Sequence, residues 1–212
     1  GEPLGADELA KTKQALGIDG EAFQVDSDVY AHVAEMMDQG RKARAQWEKQ
    51  FEEYARAYPE LAREWRQWHA PLTREALLER ADLSGQKEKA EATRASSGDA
   101  LNQLAKAVPN LVGGSADLAP SNKSYIAGAG DYSAENRLGR NLRFGVREHA
   151  MAAICNGIAL HGGLRAYCAT FFVFSDYMKA SMRLAAIMEL PVIYVLTHDS
   201  IGVGEDGATH QP

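Results

Sequence analysis

Short apolar segments alternate with helical patterns over the second half of the chain, and this alternation is the strongest constraint on the fold. Helical spacing of apolar residues covers about 147–161 and 173–189. Four segments have the length and composition of strands: Leu111–Ser115, Asn141–Gly145, Leu164–Thr170 and Val192–Leu196. Strands and helices that alternate with short joins predict an α/β fold, a parallel sheet flanked by helices.

Polar and aromatic residues follow each of the predicted strands. In open parallel sheets, ligands bind beyond the carboxyl ends of the strands. The segments to inspect for a site are therefore those directly after each strand: Ser115–Asn122, Val146–His149, Thr170–Phe174 and His198–Gln211.

The first part of the chain is rich in charged residues and has helical patterns. Ser27 and Asp28 can cap a long helix. A second helix is predicted from Pro59, which suits a first helical position, to about His69. Its tryptophans, Trp65 and Trp68, are expected to pack against a neighbouring element, because amphipathic helices usually bury their aromatic side chains. Another helix, predicted over about 88–107, leads into the sheet.

Composition excludes several classes of function. The 212 residues contain 23 Lys and Arg against 29 Asp and Glu, a net charge of −6, whereas nucleic-acid binders need a basic face. No stretch reaches the ~18 consecutive apolar residues of a membrane span. Two cysteines, Cys155 and Cys168, fit a reducing compartment, so a cytoplasmic location is expected. A first residue other than Met and an end at Pro212 lead us to expect a piece of a longer protein.

The Gly-rich segment near the end of the chain matches two generic patterns poorly. Gly202–Gly207 matches GxGxxG, but it does not directly follow a strand, and Glu205 and Asp206 would repel a diphosphate. The histidines and carboxylates around it match no standard metal spacing. This combination of histidines and carboxylates is better suited to the polar lining of a site that hydrogen-bonds a hydroxylated substrate.

Two features have both a structural and a functional interpretation. Glu148 falls in the first turn of a helix directly after a strand, where a carboxylate complements the helix dipole by ~0.3–1 kcal/mol. Phe171, Phe174 and Tyr177 follow helical spacing from a strand end and could be plain core. An apolar slot beside a carboxylate is equally what a flat heteroaromatic ring with one basic nitrogen requires.

Three strings together carry a resemblance to a known family. They are Gly-Gly-Ser-Ala-Asp-Leu-Ala-Pro-Ser-Asn (113–122), Phe-Gly-Val-Arg-Glu-His-Ala-Met (144–151) and Thr-His-Asp-Ser-Ile-Gly-Val-Gly-Glu-Asp-Gly-Ala-Thr-His-Gln-Pro (197–212). They resemble the transketolases, thiamine-diphosphate enzymes of the pentose phosphate pathway, and the resemblance covers the whole chain. It implies that residues 1–60 are the end of the diphosphate-binding domain, 61–90 a helical linker, and 91–212 a truncated pyrimidine-binding domain. Ala208 departs from the Pro that many members have.

The resemblance implies roles at the cofactor. Glu148 matches the glutamate that contacts N1′ of the aminopyrimidine, where a shared proton promotes ionisation of the thiazolium carbon. The family's aromatic pocket around the pyrimidine is matched by Phe171, Phe174 and Tyr177. Its loop near the cofactor is matched by Asp117 and Leu118, and His210 also matches a residue at the cofactor with a catalytic role.

The resemblance also implies substrate contacts. Sugar-phosphate positions are matched by Arg94, Ser121 and His198, and Arg suits a dianion because its planar fork donates two parallel bonds. Asp206 and His210 match family residues that contact the hydroxyl and carbonyl end of the sugar. They would form hydrogen bonds and transfer protons there.

The implied activity is reversible transfer of a two-carbon glycolaldehyde unit from a ketose phosphate to an aldose phosphate. Family active sites lie between two subunits of a homodimer, and the Mg²⁺ or Ca²⁺ ligands are expected in a missing upstream region, so these residues alone are expected to be inactive. Two alternatives stay open: a dihydroxyacetone synthase with formaldehyde as acceptor, and a non-catalytic binding module that kept the fold.

Overall fold

The structure is a computed structural model that describes residues 1–80, 90–199 and 207–212. Two compact units divide the chain, Gly1–Ala62 and Arg63–Pro212. Among the described residues, no helix is both long and apolar enough to cross a membrane.

The first unit is helical. A helix that the sequence analysis did not predict, α1 (Gly5–Leu16), ends at Gly17 in the left-handed conformation, which glycine adopts without steric cost. The predicted long helix is α2 (Ser27–Ala57), and α3 (Pro59–His69) begins and ends where predicted.

Burial of the apolar side chains in these helices differs from the expectation. No residue of α2 is buried within this chain, although Val33, Met36 and Trp47 recur at helical spacing. Of the two tryptophans expected to pack, Trp68 is half-buried and Trp65 keeps 38% of its surface, with its ring stacked on His69 of the same helix. The periodicity identified the apolar stripe correctly, but periodicity does not say what covers it.

The second unit contains the sheet. Its helices and strands after α3 are α4 (Arg74–Leu78), α5 (Thr93–Ala107), β1 (Leu111–Ser115), α6 (Ala119–Asn122), β2 (Asn141–Arg143), α7 (Glu148–His161), β3 (Arg165–Phe171), a 3₁₀ helix (Phe172–Tyr177), α8 (Lys179–Ile187) and β4 (Ile193–Thr197). The four strands are parallel in the order β2-β1-β3-β4, with Gly114 opposite both Leu142 and Cys168. The predicted α/β fold with a parallel sheet is confirmed.

Two apolar clusters cover the two faces of the sheet. On one face, Leu101 and Ala105 of α5 pack with Tyr167 of β3. On the other face, Met151 and Cys155 of α7 pack with Cys168, the next residue of the same strand. Successive side chains of a strand point to opposite faces, so β3, buried along nearly its whole length, serves both clusters.

One predicted element is wrong in kind. The helix expected over 173–189 is instead the 3₁₀ helix Phe172–Tyr177 followed, after the buried Met178, by α8. Because a 3₁₀ helix has three residues per turn, side chains three apart lie in one row. The strand predicted as Asn141–Gly145 is also shorter, since Gly145 has a φ of 68° and leaves the extended conformation.

Candidate functional site

The carboxyl end of the sheet collects most of the predicted site residues. Asp117 and Leu118 follow β1, and Glu148 opens α7 after β2. Phe171 ends β3, and His198 follows Thr197 at the end of β4. Because all four strands are parallel, these ends meet at one edge of the sheet.

A row of aromatic rings lies beyond β3. The rings of Phe171 and Phe174 are nearly parallel, at an interplanar angle of 9° with their centroids 5.9 Å apart. Tyr177 continues the row at 6.3 Å from Phe174 and is exposed. The spacing of three along the 3₁₀ helix aligns Phe174 with Tyr177 and produces this flat apolar surface.

Two histidines contact the same rings. His198 stacks on Phe171 with the ring centroids 3.7 Å apart. His210 meets Phe171 and Phe174 edge-on, with centroid distances of 6.0 and 5.8 Å. Thr209 Oγ1 lies 2.7 Å from Nδ1 of His210, so the side chain of the preceding residue orients that imidazole. The structure therefore brings the predicted cofactor and substrate residues of this segment together.

A basic group lies beside His198. Nη1 of Arg94, near the start of α5, lies 3.0 Å from Nε2 of His198 and donates to the carbonyl oxygen of Ser121 at 3.3 Å. On the other side of the imidazole, Oγ1 of Thr197 lies 2.9 Å from Nδ1. Three residues that are far apart in sequence and were predicted to hold a sugar phosphate thus lie together, at the junction of α5, α6 and β4.

Backbone strain marks the same edge. Asp117 and His198 have φ values of 62° and 60°, in the left-handed region that residues with a Cβ rarely adopt. His198 directly follows the last residue of β4, and Asp117 lies two residues beyond the last residue of β1. Such conformations cost about 1–3 kcal/mol each and concentrate at ligand sites, where surrounding contacts enforce them.

Glu148 and the ring cluster follow different strands of the sheet. Glu148 is half-buried in the first turn of α7, and within the described residues its carboxylate has no hydrogen-bond or ion-pair partner. The strand that leads to it, β2, is two strands away from β3, a separation of about 10 Å between strand axes. Asp117 and Leu118, at the end of β1, come between the two strands.

Among the described residues of these segments, two buried side-chain oxygen atoms have no hydrogen-bond partner. They are Oγ1 of Thr170, the residue before Phe171, and Oε1 of Gln211, the residue after His210. A buried polar atom without a hydrogen bond costs roughly 1–3 kcal/mol. Gln211 adjoins His210, whose ring contacts Phe171 and Phe174. An aromatic surface with an unsatisfied acceptor near it fits a flat ring that carries a donor substituent, as an aminopyrimidine does.

Several residues at this edge were missed by the sequence analysis. Nε of Arg143 lies 3.0 Å from Oδ2 of Asp131, and its guanidinium lies 5.1 Å from the ring centroid of Tyr125. The ion pair with Asp131 raises the pKa of Arg143. Tyr125 and Asp131 belong to the long connection between α6 and β2, and Arg143 is the last residue of β2. No spacing in the sequence indicates their contact. The sequence could have indicated Thr170 and Thr197, because each places a hydroxyl at or next to the end of an otherwise apolar strand.

Two predictions cannot be placed. Asp206 and the rest of residues 202–206 of the GxGxxG segment lie outside the described residues. Within the described ranges, no three His, Cys, Asp or Glu side chains form a group that could hold a metal ion.

Comparison with known proteins decides the family. Residues 89–212 match the model of the transketolase pyrimidine binding domain, and residues 1–71 match that of the transketolase thiamine diphosphate binding domain. The chain belongs to the transketolase family. The resemblance drawn from the three sequence strings is thereby confirmed.

Transketolases from distant organisms are similar over the whole chain. The transketolase of Halalkalibacterium halodurans is 50% identical over 100% of this chain and 32% of its own length. The chloroplastic transketolase of Craterostigma plantagineum is also 50% identical, over 100% of this chain and 41% of its own. The chain thus spans about a third to two fifths of these transketolases.

Solved transketolase structures share the fold. The transketolase from Leishmania mexicana superposes with a TM-score of 0.83 at 40% identity, covering 99% of this chain and 31% of that one. A Pichia stipitis transketolase in complex with sedoheptulose 7-phosphate gives 0.84 at 38% identity, with 99% and 32% covered. The sheet and helices described above are therefore those of a transketolase.

Proposed function

We propose that the full-length protein containing this chain is a transketolase. It transfers a two-carbon ketol unit reversibly from a ketose phosphate, such as xylulose 5-phosphate, to an aldose phosphate, such as ribose 5-phosphate, and uses thiamine diphosphate. The observation that carries the proposal is the meeting of Arg94, Ser121 and His198 beside the aromatic row. A guanidinium that could bind a phosphate lies there next to a flat apolar surface that could hold a ring.

The aromatic row and Glu148 would hold the pyrimidine ring of the cofactor. Phe171 and Phe174 offer a flat apolar wall, and Tyr177 extends it. The Glu148 carboxylate, half-buried and without a partner among the described residues, would accept or share a proton at a ring nitrogen. Asp117 and Leu118, between β2 and β3, would line the remaining side. When bound, thiamine diphosphate supplies the carbon nucleophile and the electron sink for cleavage of a C–C bond.

The substrate would lie between the cofactor and α5. Arg94 and His198 would bind its phosphate, with Ser121 beside them. His210, which contacts the same rings, and Asp206 would face the hydroxyl and carbonyl end and take or give protons there. In this arrangement the phosphate end of the sugar phosphate would lie near α5 and its other end near the ring cluster.

The remaining functional assignments also belong to this proposal. Mg²⁺ or Ca²⁺ would bind the diphosphate through residues outside this chain. The active site would form between two subunits of a homodimer, which the exposed apolar residues Ile154 and Leu160 of α7 support. The domain functions of 1–60, 61–90 and 91–212 follow the family, and we propose a cytoplasmic location, where the free buried thiols of Cys155 and Cys168 would persist.

The test is an assay of the full-length protein with xylulose 5-phosphate and ribose 5-phosphate, with thiamine diphosphate and Mg²⁺ present. Glu148→Gln keeps the side-chain size but cannot share a proton, so kcat should fall by about 10²–10⁴. The matched control is Glu53→Gln on the exposed surface of α2, which should leave kcat unchanged. Near-normal turnover in Glu148→Gln would refute its role, and activity only with formaldehyde as acceptor would replace the proposed substrate.

A second measurement concerns the chain by itself. We expect the 212 residues alone to be inactive and to bind thiamine diphosphate weakly, because they span about a third of a transketolase. Calorimetry with thiamine diphosphate and Mg²⁺ measures this directly. Submicromolar binding would show that the residues present here suffice for the cofactor site.

A further inference from the structure

The contact between Arg94 and His198 determines which nitrogen of the imidazole carries a proton. An arginine guanidinium has only donors and stays protonated at all physiological pH values. Nε2 of His198, 3.0 Å from Nη1 of Arg94, therefore accepts a hydrogen bond through its lone pair. An imidazole that accepts at Nε2 is neutral, and its single proton is on Nδ1.

The other side of the ring agrees with this assignment. Nδ1 of His198 lies 2.9 Å from Oγ1 of Thr197, a hydroxyl that can accept the Nδ1 proton. Thr197 is buried at the end of β4, so its position is set by the sheet. His198 itself has a left-handed backbone, with a φ of 60°. Arg94 and Thr197 together hold His198 as the neutral Nδ1–H tautomer.

The charged and titratable groups around His198 set the net charge that an anion meets before it binds. From α5 comes the Arg94 guanidinium, and from α6 the Ser121 carbonyl oxygen. Phe171 of β3 covers one ring face, and His210 contacts that same phenyl ring. Asp199 is next along the chain and exposed. With His198 neutral, the contact of Arg94 and His198 presents one positive charge.

A phosphate monoester changes this balance. Near pH 8 it has two negative charges, since its second pKa is about 6. To donate to a phosphate oxygen, Nε2 of His198 must gain a proton, and the Arg94 N–H that occupies its lone pair must turn to the phosphate. The phosphate favours both changes because opposite charge in contact raises the pKa of a histidine. A monoanion provides half of that driving force.

We propose that His198 is the specificity-determining residue for the charge of the substrate: binding of a phosphate dianion moves Arg94 from Nε2 onto the phosphate and places a proton on that nitrogen. The inference rests on the proposed function, because it takes the group beside the aromatic row to be the phosphate end of the substrate site. A sulfate monoester, which has the same shape and one negative charge, is discriminated against because it does not draw this proton.

The experiment is calorimetry on the full-length, cofactor-loaded protein at pH 8, in two buffers of different ionisation enthalpy. The probes are ribose 5-phosphate and ribose 5-sulfate. Ribose 5-phosphate should bind with uptake of about one proton per site, and its affinity should fall about tenfold per pH unit over the pH range in which that proton is taken up. Ribose 5-sulfate should bind at least about tenfold more weakly, with no proton uptake.

Two variants and a control identify the group that takes the proton. His198→Gln retains an acceptor for Arg94 but does not titrate, so proton uptake should vanish and the preference for phosphate over sulfate should shrink at least about tenfold. Thr197→Val removes the acceptor of the Nδ1 proton and should reduce the preference partially. His161→Gln, an exposed histidine at the end of α7, should retain both the uptake and the preference.

The outcomes separate this inference from the proposed function. If ribose 5-phosphate binds without proton uptake, or if uptake survives in His198→Gln, the role of His198 is overturned while the transketolase proposal stands. If neither ribose 5-phosphate nor xylulose 5-phosphate binds the loaded protein, the proposed function itself fails. Nitrogen chemical shifts of His198 that show a proton on Nε2 before any ligand is added would also overturn the inference.

Discussion

The two units of this chain are built from different kinds of interaction. In Gly1–Ala62, ion pairs within α1 and α2 join residues three or four positions apart, such as Arg44 and Glu48 at 2.7 Å, and α2 buries no side chain. In Arg63–Pro212, β3 is buried between two apolar clusters, and its hydrogen-bonding neighbours come from distant parts of the sequence. Local interactions produce the helices of the first unit, whereas long-range packing holds the second.

This difference has consequences for stability and for function. A pair at i and i+4 on a helix contributes only ~0.2–0.5 kcal/mol, whereas burial of one large side chain contributes ~1.5–3 kcal/mol. A site needs side chains held in fixed positions, and all the described site residues are in the second unit. The same substitution should therefore have very different effects in the two units, and amide hydrogen exchange of the full-length protein measures each unit separately.

The largest expected contrast is between two glycines replaced by alanine. A Cβ on Gly114, the fourth of the five residues of β1, would overlap the carbonyl oxygen of Leu142 on the neighbouring strand, so the two backbones must separate. We expect Gly114→Ala to lower the opening free energy of the sheet amides by more than about 3 kcal/mol. Gly40, inside α2, has open space around it, and Gly40→Ala should raise the opening free energy of α2 by about 0.5–1 kcal/mol.

Amide exchange of β1 and β2, compared with that of α2, tests both the expected destabilisation by Gly114→Ala and the expected stabilisation by Gly40→Ala. If Gly114→Ala left the sheet amides as protected as before, the close approach of β1 and β2 would be wrong. A loss of protection in Gly40→Ala would mean that another part of the full-length protein packs against this glycine.

A smaller contrast is expected for two tyrosines. Tyr167 is buried at the centre of β3, and its hydroxyl donates to the Ser124 carbonyl oxygen at 2.7 Å. Burial raises the pKa of this tyrosine, so the hydroxyl stays protonated and the bond persists through alkaline pH. Tyr167→Phe leaves a buried carbonyl oxygen without its donor and should cost about 1–3 kcal/mol.

The matched variant is Tyr54→Phe on α2. Tyr54 is 40% exposed and contacts Phe51 and Tyr58 through its ring, which phenylalanine retains. Its effect should stay within about 0.5 kcal/mol. Equal effects of the two substitutions, read from the exchange of β3 and α2 amides, would contradict the distinction between the units.

The fold was predictable from the sequence to the extent that it depends on local patterns. All four strands and the helices α2, α3, α5 and α7 fall near their predicted positions because apolar spacing and caps report local structure. The break at Met178 was not predictable from spacing, since a helical stripe at i and i+3 fits a 3₁₀ turn followed by an α-helix as well as one α-helix. Nor was the strand order, which depends on how distant segments pair.

The candidate site divides in the same way. Its position was predictable, because ligands bind at the carboxyl ends of parallel strands, and the residues there carry the family resemblance. The meeting of Arg94, Ser121 and His198 followed from the resemblance alone, since no spacing links residues more than 100 positions apart, such as Arg94 and His198. The contact of Arg143 with Asp131 and Tyr125 was missed because it depends on the path of one long connection.

The smallest predicted effect concerns the ion pairs that characterise the first unit. Arg44 and Glu48 on α2 keep 71% and 52% of their side-chain surfaces exposed, so water and salt screen their attraction. A double-mutant cycle with Arg44→Gln and Glu48→Gln should give a coupling of about 0.3–0.5 kcal/mol from α2 amide exchange at low salt, and roughly none in 1 M NaCl. The cycle cancels the separate contact of Arg44 with the Trp47 ring, because that contact is lost equally with and without Glu48. A coupling above about 1 kcal/mol that salt does not weaken would mean that the pair is buried in the full-length protein. The first unit would then be held by packing, as the second unit is.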